Sequence, residues 1–405
     1  MKRVVFIFLF LISLDLSAQN NISVEEQTYD TDSIINICIN EINQDSIRST
    51  IQSLQNYTTR FMLEPNRKNI AMMLKEKFIS MGCLNTVLDS FITITDYNIL
   101  HDTTWQYNVI ATMEGTQYSD SVCIACRHYD SYSNLVLSGL VPGADDDASG
   151  VAAACEIARI FKKMNYQPRL TIKFIAFGAE ELMLFSDESG ASYYAKKAYA
   201  NNEKIKFVAN NDMISYNRSP DNWEAFFNCY TGMNWIKDFA VYICMKYTSI
   251  TPKIRINNKF CDSYPFWKQG FQTIFFQERK FNPYYHTTFD VVDSASMDYC
   301  AEMTKITLAM LISGTQLPTG IDDNNLSVPL NVKFYPNPVV GKMFVAYAGM
   351  DEAKMLLYNI VGERVLQKEL NNGINNIDIS YLAKGIYIIK ISAAKGSIMH
   401  KLIKE

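Results

Sequence analysis

No charge of either sign dominates this sequence. Its 38 Lys and Arg stand against 42 Asp and Glu, a net charge of -4. That offers neither the basic footprint of a nucleic-acid binder nor a polybasic membrane patch. Long apolar runs are also missing. The run Val4–Leu14 falls well short of the ~20 residues that a helical span needs, and no later segment comes closer. The cysteines number nine, an odd count, and are scattered through apolar stretches around Cys155, Cys244 and Cys300, which excludes an evident disulfide framework. Cys123 and Cys126 form a C-x-x-C inside an apparent strand, Ser121–Cys126, where i and i+3 face opposite ways. No second pair follows at zinc-finger spacing, so both read as buried thiols. Histidine is scarce, with four in 405 residues.

What is present suggests more than one domain, since 405 residues with 48% hydrophobic content can build a large core. Lys2 and Arg3, the short apolar run and Leu16-Ser17-Ala18 read as a signal peptide over 1–18, with a mature chain starting near Gln19. No transmembrane span is expected in that mature chain. From Ser33 to Met81 apolar residues recur at helical steps, broken by Pro65. Strand-like runs follow at Phe91–Ile94, Tyr107–Met113 and Ser121–Cys126. A helix is expected over Ala148–Met164, strands over Leu170–Phe177, Ile205–Ala209 and Thr273–Phe276, and a closing helix over Ser294–Ser313. Alternating strands and helices predict an α/β domain over 19–317, a mostly parallel mixed sheet flanked by helices. A polar, Gly/Pro-punctuated linker covers 318–331. From 332 to 405 short alternating runs between turn signals predict a small all-β sandwich, with His400 as its single histidine and no usable metal cluster.

The chemistry-bearing residues follow the predicted strand ends. His128 and Asp130 lie in R-H-Y-D-S; the imidazole can bind a metal while Asp130 accepts a hydrogen bond from its other nitrogen. Taken alone, H-x-D fits a structural histidine equally well. P-G-A-D-D-D-A-S-G at Pro142–Gly150 is more telling, because three adjacent aspartates repel one another unless a cation compensates them. Asp147 or Ser149 suits a helix N-cap, and Asp146 is placed to face away and bridge two metals. Glu180 and Glu181 directly follow a strand; neighbours on an extended segment face opposite ways, so one can bind metal while the other stays free as a base. Asp212 in N-N-D-M and His286 in Y-Y-H-T-T-F-D complete the series. Two imidazoles and three carboxylates suit two Zn²⁺ ions with one shared carboxylate. Phe276, Tyr284 and Tyr285 fit an apolar specificity pocket or simple core.

In this order, R-H-Y-D-S, P-G-A-D-D-D-A-S-G, F-G-A-E-E-L, F-W-K-Q-G, E-R-K-F and H-T-T-F-D resemble the co-catalytic di-zinc aminopeptidases of the bacterial leucyl aminopeptidase type, over about Ser49–Ser313. The resemblance implies the zinc exopeptidase fold and two zincs per domain. It makes Asp146 the bridge, His128 and Asp212 the other ligands of one zinc, Glu181 and His286 those of the second, and Glu180 the general base acting on a water between the metals. It further implies a secreted enzyme that removes N-terminal residues from peptide substrates. A glutaminyl cyclase, a carboxypeptidase-type relative and an inactive surface-binding module are the alternatives. Two departures stand out: Cys261-Asp262-Ser263-Tyr264 replaces the family's S-D-H, and Leu182–Gly190, with Asp187 and Glu188 near the substrate rim, is longer and more acidic. The tail resembles the sorting domain of the type IX secretion system, through F-Y-P-N-P at Phe334–Pro338, L-Y-N-I-V-G-E-R-V at Leu357–Val365, I-D-I-S-Y-L-A-K-G-I-Y-I-I-K-I at Ile377–Ile391 and K-L-I-K at Lys401–Lys404. That implies engagement with the type IX machinery and a destination outside the cell or on its surface.

Overall fold

The computed structural model describes residues 30–97, 100–133, 140–182, 188–217, 219, 222–316, 332–347, 352–359, 363–393 and 396–405. The expected leader at 1–18, the linker at 318–331 and Asp187 lie outside them. Three helices lead, α1 (Thr31–Asn40), α2 (Gln44–Gln55) and α3 (Arg67–Ser80). The Asp30 and Asn43 side chains start α1 and α2 by accepting from the N–H of Ser33 and Ser46, the usual remedy for unpaired first-turn donors.

Then come β1 (Asn85–Tyr97), β2 (Leu100–Met113), β3 (Tyr118–His128), α4 (Ala148–Lys163), β4 (Leu170–Phe177), α5 (Gly190–Ala200), β5 (Lys204–Asn211), β6 (Glu224–Cys229), α6 (Asn234–Tyr247), β7 (Thr251–Ile256), α7 (Ser263–Lys268), β8 (Thr273–Glu278) and α8 (Met297–Gln316). The strands form one eight-stranded sheet in the order β1-β2-β4-β3-β5-β8-β6-β7. β4, β3, β5 and β8 run parallel to their neighbours within that group, while β2 joins β4 and β6 joins β8 antiparallel. The sheet is therefore mixed, with its parallel part at the centre. There β4 is buried along nearly its whole length, as a strand covered on both faces should be. Alternate residues of β3 serve different cores. Cys123 and Ala125 pack with α4 and α8, whereas Val122, Ile124 and Cys126 pack with α5 and Phe266 of α7. The C-x-x-C thus divides between two faces, and all nine cysteines are buried and free.

The chain leaves β3, crosses to β4 on one side, then returns to β5 on the other. Such a reversal opens a crevice beyond the carboxyl ends of the strands. β6, β7 and α6 were not anticipated from sequence; β7 is an edge strand whose Thr251-Pro252-Lys253-Ile254-Arg255-Ile256 is half exposed, and its Pro252 interrupts the run as proline does on edge strands. Among the described residues no helix is long and apolar enough to cross a membrane.

The C-terminal part is all β, as expected: β9 (Val332–Tyr335), β10 (Lys342–Tyr347), β11 (Ala353–Asn359), β12 (Arg364–Leu370), β13 (Gly373–Asp378), β14 (Gly385–Ala393) and β15 (Gly396–Lys404). They pair antiparallel into a three-stranded sheet, β13-β10-β9, and a four-stranded one, β12-β11-β14-β15. Met343, Val345 and Ile377 of the first share a core with Met355, Leu357, Ile389 and Ile391 of the second.

One close approach fixes the crevice. A Cβ on Gly150, in the first turn of α4, would lie 2.3 Å from the Asn211 carbonyl at the end of β5 and 2.6 Å from Asp147 Oδ1. Only glycine lets the helix start sit against that strand end. Gly150→Ala is expected to cost about 1–3 kcal/mol, as overpacking of a filled interior does. Urea denaturation checks this, and an unchanged midpoint would show that the contact yields freely.

Candidate metal centre

The anticipated side chains meet beyond the carboxyl ends of β3, β4, β5 and β8. His128 ends β3, and Asp212 directly follows β5. Glu180 and Glu181 follow β4 after Gly178 and Ala179, where Ala179 has a left-handed φ of 59°. His286 lies in the loop after β8 at φ 56°, and Met213, next to Asp212, at φ 51°. Left-handed non-glycine residues gather where the surrounding structure over-determines the backbone, and each of these three adjoins or is a residue of the candidate centre.

Asp146 occupies the middle. Its Oδ1 lies 3.1 Å from His128 Nε2, and its Oδ2 lies 3.3 Å from His286 Nε2. His128 Nε2 is also 3.7 Å from Asp212 Oδ1, and His286 Nε2 is 2.8 Å from Glu181 Oε2. Despite these distances His286 Nε2 and Glu181 Oε1 make no hydrogen bond of acceptable geometry. Two orphaned, buried polar atoms beside carboxylates are what a missing cation leaves behind, and the mixed imidazole and carboxylate donors suit Zn²⁺. The donor atoms of His128, Asp146 and Glu181 lie within 4.8 Å of one another, as do those of His128, Asp147 and Asp212. Asp147 caps α4 through Oδ1, which accepts from Gly150 N at 2.8 Å, while its Oδ2 has no hydrogen-bond partner; of the two acids it is Asp146 that also reaches His286. Glu180 belongs to neither group.

Burial sets the electrostatics. It pushes Glu181 up to about 7 and raises Asp212, and it holds Glu180 well above the ordinary carboxylate range against the pull of His128. For Asp146 burial is outweighed by His128 and His286, so its carboxyl stays ionised below the usual range. Burial opposes charge on the imidazoles too, but Glu180, Asp130, Asp146 and Asp212 hold His128 well above its ordinary value, and Glu181 and Asp146 push His286 up to about 10. The protein compensates its crowded acids with imidazolium when no other cation is bound.

A second layer of acids orients this group. Asp130 stands 3.5 Å from His128 Nδ1, long for a hydrogen bond. Its firmer contacts are to the N–H of Glu180 at 3.1 Å and of Glu181 at 3.2 Å. The expected imidazole-orienting acid thus mainly holds the two glutamates. Asp290 accepts from the N–H of Asp145 and Asp146 at 3.0 and 3.1 Å. Asp145 accepts from Ser215 N, Ser215 Oγ and Asn282 Nδ2 at 2.8, 2.7 and 3.0 Å. Glu278, at the end of β8, accepts from Tyr216 N and Asn282 N at 2.7 and 2.9 Å. None of these jobs was assigned from sequence, although Asp145, Glu278 and Asp290 all fall within quoted motifs. Of the three aromatics weighed as pocket or core, Phe276 is wholly buried core. Tyr285 stacks on His286, ring centroids 3.7 Å apart. Burial, then Asp146, Glu181, Glu180 and Asp212, raise its hydroxyl's pKa, so it stays protonated beside the centre. Cys261, where the departure from S-D-H occurs, hydrogen-bonds with Tyr230 and Ser263 in a buried triangle.

Residues 108–311 match the model of Peptidase family M28, half of the chain. The chain belongs to peptidase family M28. Residues 333–405 match the secretion system C-terminal sorting domain. A "probable aminopeptidase" of Saccharomyces cerevisiae is 29% identical over 231 residues, 54% of this chain and 60% of that protein. A "probable zinc metalloprotease" of Pyrenophora teres f. teres is 32% identical over 216 residues, 49% of this chain and 44% of that protein. The chain thus spans about half the length of the curated relatives it matches. Among solved structures, the LapA aminopeptidase of Legionella pneumophila has a TM-score of 0.60 at 19% identity, covering 78% of this chain and 81% of its own. A leucine aminopeptidase precursor from Bacteroides thetaiotaomicron has 0.53 at 17%, covering 67% and 97%. At these identities the likeness speaks for the M28 fold.

The raised imidazoles set a pH dependence for metal uptake. A group pushed up to about 10 keeps its proton at neutral pH, so a cation must displace protons from His286 and from His128. Apparent affinity therefore rises with pH and falls in acid. Calorimetric zinc titration at pH 7 in two buffers of different ionisation enthalpy should give different heats. Equal heats would mean that no proton is released.

Proposed function

We propose that this chain is an exported zinc aminopeptidase that removes N-terminal residues from peptides. The observation that carries the reading is the position of Asp146, one carboxylate oxygen toward His128 and the other toward His286, which suits a bridge between two ions. Family M28 membership and the two orphaned donors support the same reading.

In this reading His128, Asp146 and Asp212 hold one Zn²⁺, and His286, Asp146 and Glu181 the other. Bound there, zinc supplies Lewis-acid activation of water and of the scissile carbonyl. Glu180 takes the proton from the attacking water and returns it to the leaving amine. Its burial beside His128, with a raised carboxyl pKa, suits a group that must both accept and release a proton near neutral pH. Asp130, hydrogen-bonded to the N–H of both glutamates, keeps Glu180 aligned while Glu181 turns to the metal. The Tyr285 hydroxyl, held protonated, donates to the oxygen that becomes negative as the carbonyl is attacked. The match of 333–405 to a sorting domain supports delivery by the type IX machinery to the surface or the medium.

Release of arylamine from Leu-, Phe- or Gln-arylamides should be abolished by a chelator and restored by Zn²⁺. Ring closure of N-terminal Gln without amide cleavage, with one zinc per chain, would replace the peptidase by a cyclase. Failure of every arylamide would remove both. Glu180→Gln should lower kcat by at least about 10²-fold, the scale of general acid–base assistance, and leave zinc content unchanged. Tyr285→Phe should lower kcat more than it alters KM. Steady-state kinetics with metal analysis reads both.

A further inference from the structure

Arg60 lies between α2 and α3, far in sequence from every candidate ligand, and is 1% exposed. A buried guanidinium ordinarily faces a carboxylate or phosphate. Here Nε donates to the Tyr129 carbonyl at 2.7 Å, Nη1 to Pro142 at 2.5 Å and Nη2 to Gly143 at 2.8 Å. Tyr129 sits between His128 and Asp130, and Pro142 and Gly143 open the turn that carries Asp146. One side chain therefore ties together the two segments on which the bridge and its first imidazole stand. Ser131 reinforces the junction: its Oγ accepts from Arg60 N and donates to the Val141 carbonyl, and its N–H donates to Arg60 O.

The turn is held from its other side by Asp290. While Arg60 takes the carbonyls of 142 and 143, the Asp290 carboxylate takes the N–H groups of 145 and 146, and its own carbonyl accepts from Ala144 N. A cation on the carbonyl side and an anion on the amide side complement the turn's peptide dipoles in the same sense. Gly143 is required for the fit. It has φ 52°, and a Cβ there would lie 2.4 Å from the Asp146 carbonyl and 2.7 Å from Arg60 Nη2. The positive charge also sits among Asp130, Asp146, Asp147 and Asp290, where it offsets part of the repulsion within the cluster.

We infer that Arg60 is a positioning residue of the metal centre, fixing the bridging carboxylate of Asp146 relative to His128 in concert with Asp290. The inference rests on the reading of that centre as a zinc site. Lysine at 60 has three donors but no planar fork, so it cannot meet three carbonyls at these directions. Arg60→Lys, Arg60→Met and Asp290→Asn are expected to weaken zinc binding by about 10–100-fold, the usual effect of losing a residue that orients metal ligands.

The test is chelator-competition zinc titration of the full chain, alongside thermal unfolding of each metal-free variant. Phe78→Ala, a wholly buried change in α3 outside the centre, serves as a control for lost stability and should keep wild-type zinc affinity. Wild-type affinity in Arg60→Lys and Asp290→Asn would overturn the inference. So would an equal loss of affinity in Phe78→Ala, since general destabilisation would then explain it. If the unmodified chain itself takes up no zinc, the proposed function fails; if it takes up zinc and the variants do so equally well, only the role of Arg60 fails.

Discussion

Crowding of negative charge in a water-poor crevice is the constraint on which the rest of this structure depends. Asp146, Glu181, Asp212 and Glu180 converge within reach of two imidazoles, nearly all buried. In such surroundings like charges cannot all ionise without a compensating cation. A centre of this kind stores affinity for a multivalent ion, and the same lack of water that makes the acids expensive makes the ion's field strong.

The surrounding sheet resists relaxation of that crowding. The backbone around the candidate ligands is braced by buried acids: Asp130 on the amides of the two glutamates, Asp290 on those of Asp145 and Asp146, Asp145 on Ser215, and Glu278 on Tyr216 and Asn282. These bonds join the β3, β4, β5 and β8 ends into one lattice. A ligand set held in this way does not collapse into hydrogen bonds of its own, which is why His286 Nε2 and Glu181 Oε1 remain unsatisfied. That is preorganisation, with the strain carried by left-handed residues such as Ala179 and His286.

Legibility in the sequence followed the range of the interaction concerned. The span Leu170–Phe177 emerged with its observed bounds, because a central strand is a local apolar run between turn signals. The five candidate ligands were legible jointly, through the order of their motifs and the family resemblance which that order carries; taken singly, segments such as N-N-D-M do not mark a ligand. Within P-G-A-D-D-D the middle acid was singled out because its neighbour Asp147 suits the helix N-cap and because the family resemblance makes that position the bridge. The task of Asp145, by contrast, depends on Ser215 and Asn282, and that of Arg60 on carbonyls about seventy and eighty residues away. No local pattern encodes such partners. Asp130 shows an intermediate case: its nearness to His128 was readable from H-x-D, but its bonds to Glu180 and Glu181 come from a different strand end. β7 alternates Lys253 and Arg255 with Ile254 and Ile256, but it is short and has Pro252 near its start, which argues against a strand in sequence.

The strand order carries one further consequence. β8 is the last strand of the sheet to leave the ribosome, yet it is inserted between β5 and β6, both made earlier. Until it slides in, the sheet is split into two unjoined halves, and each half exposes a raw edge. The same strand brings Glu278 and, just beyond it, His286 and Asp290. Closing the sheet and bringing His286 to the candidate centre are therefore one event in the life of the chain. A partly translated or partly threaded polypeptide that lacks β8 lacks, with it, one imidazole of the candidate centre and the acid that braces the Asp146 turn.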